Sequence, residues 1–105
     1  MAHIILFKDN PHADPDIRRD HMAEHLNFLK AHKDKIAAAG PLFDGTGAGA
    51  GAGGIWLVGD SDPSEIDQLI HQDPFWPTGL RASYDILHWK VVFENLSLLR
   101  PRDLA

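Results

Sequence analysis

Two of the three Asp-Pro dipeptides in this chain open a helix-like segment directly after a β-rich run, and that repeat constrains the fold more than any other feature. HIILFK (3–8) reads as a short strand closed by the turn signal Asn10-Pro11. In ADPDIRRDHMAEHLNFLKAHKDK, Asp14 is placed to accept hydrogen bonds from the first-turn amides and Pro15 suits the first helical position. Met22, Leu26 and Leu29 recur at i, i+4 and i+7 and predict a buried stripe on a helix ending near residues 32–34. The pattern then repeats. IWLVGD (55–60) reads as a strand, and SDPSEIDQLIHQ (61–72) as a helix with Asp62 as cap, Pro63 at the opening and Glu65 at the capping-box position.

Two further strands complete the order. KIAAAGPLF (35–43) reads as a strand interrupted at Gly40-Pro41, and ASYDILHWKVVF (82–93) as a long alternating strand. In the latter, Tyr84, Ile86, His88, Lys90 and Val92 share one face, while Asp85, Leu87, Trp89, Val91 and Phe93 share the other. DPFWPTGL (73–80) predicts a short helical turn capped by Asp73 and stopped by Gly79; DGTGAGAGAGG (44–54) predicts a flexible loop. The order β-α-β-β-α-β gives an α+β, ferredoxin-like arrangement: a four-stranded antiparallel sheet with both helices on one face. The other face is left bare although its side chains are apolar, which predicts a homodimer or a higher homo-oligomer. The domain is expected over residues 1–94, with 95–105 as a C-terminal tail.

A net charge of -5 with no basic stripe argues against a nucleic-acid partner. No apolar run reaches the length of a membrane span and the N-terminus lacks a signal layout, so no membrane association and a cytoplasmic address are expected. With no cysteine, disulfides, thiolate metal sites and a cysteine nucleophile are excluded.

Candidate chemistry rests on seven histidines. His21, His25, Phe28 and His32 form one helical stripe beside the apolar one; His25 lies nearest the boundary and is expected half-buried, with His21 and His32 toward solvent. The H-x-x-x-H spacing lacks the acid that directly follows the first histidine in zinc proteases, so no metal is expected. His25 is either a packed residue or an acid/base group. Asp73 is either a cap or a carboxylate that fixes a histidine tautomer. Phe75 and Trp76 follow in the same turn and are the expected substrate-binding residues, Trp76 walling a pocket for a flat, apolar molecule. Gly49, Gly51 and Gly54 match G-x-G-x-x-G, but a strand follows them where a dinucleotide site needs a helix, so no cofactor is expected.

The set HLNFL (25–29), AAAGPL (37–42), GGIWLV (53–58) and QDPFWPTGL (72–80), followed by a final strand ending VVF, resembles the YCII-related (YciI-like) domain family over residues 2 to about 94. The GAGAGAGG stretch departs from that pattern. The resemblance implies a dimeric α+β barrel of ferredoxin-like protomers. It also implies a pocket with a first-helix histidine and an aspartate of the D-P-[FY] turn as an acid/base dyad, here His25 and Asp73. One activity in the family is elimination of HCl from a chlorinated hydroxyhydroquinone. The expectation is a small cofactor-independent enzyme, a lyase or isomerase acting on a small cyclic or aromatic ligand. The alternative is a non-enzymatic ligand-binding or oligomeric interaction module of the same fold.

Overall fold

A computed structural model describes residues 1–45 and 51–101. Four strands, β1 (Ala2–Asp9), β2 (Ile36–Phe43), β3 (Gly51–Val58) and β4 (Arg81–Trp89), and two helices, α1 (Ile17–Ala31) and α2 (Pro63–Gln72), follow the βαββαβ order. The sheet order is β2-β3-β1-β4 with every neighbouring pair antiparallel. This is the ferredoxin-like α+β fold.

Alternation along the strands decides which face is filled. His3, Ile5 and Phe7 of β1 and Trp56 and Val58 of β3 point to the helices and are buried. The apolar ones form one core with Ile36 and with Ile66, Leu69 and Ile70 of α2, with Phe28, Leu29, Tyr84 and Ile86 packed around it. Each fully buried aliphatic or aromatic side chain contributes about 1.5–3 kcal/mol. The opposite face carries Ile4, flanked in register by Leu57 and Leu87, and Leu6, flanked by Ile55 and Asp85. It is an apolar surface that neither helix covers.

Both helices start differently in detail. Asp62 caps α2 as its sequence predicts, accepting from the Ser64 amide and hydroxyl. Helix α1 begins two residues later than its Asp-Pro signal. Asp14 accepts from the Asp16 amide in a turn ahead of the helix, and Asp16 occupies the cap position with its side chain on Arg19 rather than on a first-turn amide. The stripe also differs. Leu26 is exposed, and the inward positions of α1 are taken by His25, Phe28 and Leu29.

Two strand limits move. The chain is already paired at Gly51, opposite Phe43, so β3 takes in residues of the expected glycine loop. Residues 46–50 of that stretch lie outside the described residues, as do 102–105 of the tail. Glycine suits this edge of β3: Gly53 has φ +100°, and a Cβ there would stand 1.9 Å from the Phe7 carbonyl oxygen. At the other end, β4 stops at Trp89 and residues 90–93 leave the sheet, with Val92 and Phe93 exposed.

Candidate active site

Small side chains make room for a cleft between α1 and the β2–β3 edge. The inward positions of β2 and β3 opposite α1 are Ala39, Pro41 and Gly54, so the helix cannot close on the sheet there. The resulting space is about 460 Å³ including its open mouth, floored by Trp56 and bounded by Met22, His25, Leu26 and Leu29 of α1. Phe75, Arg18 and Arg81 complete the lining. Its enclosed part is only about 90 Å³, less than the roughly 150 Å³ of an engineered cavity that holds benzene, so a ring would lie partly in the open mouth.

His25 is buried at the cleft edge, its ring stacked on Phe75 at 4.2 Å between centroids. Its Nδ1 lies 2.8 Å from Asp73 Oδ1. Asp73, at the C-terminal end of α2, has a fully buried side chain with three donors. Oδ1 also accepts from the Phe75 amide at 3.0 Å, and Oδ2 accepts from Arg81 Nη1 at 2.7 Å. One residue thus holds the turn that follows α2 and binds two other elements. Burial pushes the Asp73 carboxyl up, but the His25 hydrogen bond, the Arg81 charge and the Phe75 amide outweigh it and hold its pKa below the usual value. An ionised carboxylate only accepts, so His25 Nδ1 carries the hydrogen. In the neutral ring Nε2 is then the unprotonated nitrogen.

Arg81 reaches this position through a β-bulge. Ser83 pairs with Lys8 but Arg81 pairs with Asp9, so Ala82 is an extra residue in β4. Strict alternation from Tyr84 would turn Arg81 away from the helices; the bulge turns it inward. Its guanidinium sits 3.9 Å above the Phe7 ring, with the rings of Phe75 and Trp56 within 5.6 Å. Burial lowers its pKa despite the opposing pull of Asp73; an arginine remains charged under any ordinary condition. Arg18, on the first turn of α1, pairs with both oxygens of Asp9 and also donates to the Gly53 carbonyl.

Of the residues singled out in the sequence, His25, Asp73 and Phe75 come together and Trp76 does not join them. Trp76 packs against His71 and Tyr84 on the far side of the turn. The Tyr84 hydroxyl donates to Asp67, and burial together with that bond pushes its pKa up to about 12. His21 and His32 are half-buried along α1, and His3 is a second buried histidine, against His88 at the far end of β1. Among the described residues, no three His, Asp or Glu side chains converge as a metal ion would need. Arg18, Arg81 and Asp9 were not legible as site residues, since a bulge and a strand register bring them there.

The 5-chloro-2-hydroxyhydroquinone dehydrochlorinase (TftG) of Burkholderia phenoliruptrix AC1100, solved with 2,5-dihydroxybenzoquinone, has a similar structure. It is 29% identical, with a TM-score of 0.69 over 86% of this chain and 94% of that one. The Arabidopsis thaliana protein At3g17210 is a looser likeness at 13% identity and a TM-score of 0.46, over 90% of this chain and 98% of that one. No curated protein matches the sequence. The sequence profile of the YCII-related domain matches residues 1–90, and the chain belongs to the YCII-related domain family.

Proposed function

We propose that this protein is a small-molecule enzyme in which His25 moves a proton on a single-ring substrate held in the cleft, oriented by Asp73. The observation that carries the reading is the 2.8 Å contact between His25 Nδ1 and a carboxylate held ionised by Arg81. That contact fixes the tautomer, offers Nε2 as the base and stabilises the imidazolium once the proton has arrived. Phe75 stacks on the imidazole and would support the ring of the substrate. One proton shuttle suffices for a lyase or isomerase. The structural neighbour acts on a chlorinated hydroxyhydroquinone. In an elimination of that class one hydroxyl proton is removed and the chlorine-bearing ring carbon is protonated, giving a ketone beside an sp3 C–Cl centre. The base then takes a second hydroxyl proton, the electron pair moves through the ring, and chloride leaves with its bonding electrons to give the quinone and HCl.

The working unit in this reading is a homodimer. Ile4, Leu57 and Leu87 make one apolar row on the uncovered sheet face, and a second copy would bury it.

Chloride release from 5-chloro-2-hydroxyhydroquinone tests the reading, supplemented by deuterium uptake from solvent into unchlorinated hydroxylated rings. His25→Gln and Asp73→Asn should each reduce the rate by about 10² or more. Wild-type turnover retained in His25→Gln would overturn it; no turnover and no exchange with any ring tested would favour a binding module.

A further inference from the structure

We infer that Arg81 selects the ligand of this cleft, and that the ligand is a planar ring bearing an ionised oxygen: a phenolate, an enolate or a carboxylate. The inference rests on the cleft being a ligand site, as proposed above, and adds to it a charge requirement on what enters.

Three observations carry it. First, the bulge at Ala82 turns an arginine from the open sheet face into the cleft, against the alternation of the strand. Bulges that re-aim a side chain are common beside active sites. Second, the Arg81 guanidinium uses only Nη1 on Asp73 among the described residues. Arg81 also lines the cleft, so donors not used on Asp73 are at hand for a ligand there. A guanidinium has five N–H donors in a fixed fork that suits planar oxyanions. By contrast, Arg18 is committed to both Asp9 oxygens and to the Gly53 carbonyl.

Third, the charges around the cleft are balanced only while His25 is neutral. Arg18 offsets Asp9 and Arg81 offsets Asp73. When His25 accepts a proton from the substrate, the site gains a positive charge in apolar surroundings. An anionic ring left on Arg81 compensates for it directly. The walls, aromatic and aliphatic with Phe75 and Trp56 on two sides, fit a flat ring rather than a hydrated ion such as phosphate.

The test is calorimetric titration of the whole protein at neutral pH with 2,5-dihydroxybenzoquinone, whose ring hydroxyls ionise, and with its uncharged dimethyl ether. The wild type should bind the anion at least about tenfold more tightly, the size of one charge-assisted hydrogen bond. Arg81→Gln should remove that preference. A preference that persists in Arg81→Gln would trace to shape and overturn the inference. Should Arg81→Gln fail to fold, the wild-type Arg81 Nε–H resonance gives the answer: it must shift with the anion and stay in place with the ether. Equal wild-type affinity for the two compounds overturns the role of Arg81 and leaves the acid/base reading intact. No binding of either compound, with the His25 and Phe75 resonances unmoved, overturns both.

Discussion

Replacing Asp73 by Asn separates a turn cap from a charged hub. Asn caps about as well as Asp, so a residue that only held the turn would tolerate the change. The geometry predicts otherwise. Asp73 accepts from His25 and Phe75 on Oδ1 and from Arg81 on Oδ2. An amide has one acceptor oxygen; however it turns, its NH2 meets either the guanidinium or the His25 and Phe75 donors. The substitution also removes the counter-charge of Arg81, whose side chain is only 6% exposed. Breaking one half of a buried ion pair costs about 3–5 kcal/mol. We expect about 3 kcal/mol, or a Tm lower by roughly 12–24 °C for a domain of this size. Thermal and urea unfolding at one fixed protein concentration would measure it, because an oligomer's apparent stability depends on concentration. The pH dependence follows from the lowered Asp73 pKa. A carboxyl whose folded pKa lies below its unfolded value, about 3.9, contributes fully above that value and loses the contribution as pH falls through the folded one. The gap between wild type and Asp73→Asn should therefore shrink below about pH 4. A difference under about 0.5 kcal/mol at neutral pH would refute this account of Asp73.

Other outcomes follow from single positions. Gly53→Ala should destabilise by more than about 2 kcal/mol, adding a clash with the Phe7 carbonyl to the left-handed backbone penalty. Gly40→Ala, with nothing within 4 Å of its Cβ and an ordinary φ, should be close to neutral; both are read by urea unfolding. Tyr84 is the one tyrosine of the chain, so ultraviolet absorbance isolates its titration, expected at about 12 and moving down in Asp67→Asn. Light scattering should report a dimer or a multiple of it, and Leu87→Glu on the uncovered face should yield monomer; a monomeric wild type would sink the dimer proposal.

The order of elements was legible because each helix carries local start signals and the strands their alternation. Asp62, Pro63 and Ser64 need nothing beyond themselves to begin α2. The glycines of β3 hid where that strand begins, since a run without side chains carries no period. Leu26 misled for a different reason. Periodicity assumes that apolar residues face inward, but α1 turns His25 inward to meet a carboxylate 48 residues away. A buried polar residue is decided by its partner, and the partner is decided by the fold. His25 and Asp73 were each visible as candidates; local sequence could not show their contact, which only the family resemblance implied. Arg81 was hidden more deeply. One extra residue in β4 reverses the face on which it stands, and nothing local in ASYDILHW announces a bulge at Ala82.

Nitrogen NMR of the His25 imidazole tests the central claim most directly. Long-range proton–nitrogen correlation distinguishes the two ring tautomers. With Asp73 ionised beside Nδ1, the neutral ring should carry its hydrogen on Nδ1. Nε2 should be the unprotonated nitrogen and should shift when a ring ligand fills the cleft. In Asp73→Asn the tautomer preference should weaken. A His25 ring protonated on Nε2 in the wild type, or one indifferent to both ligand and Asp73, would contradict the assignment of His25 as the base.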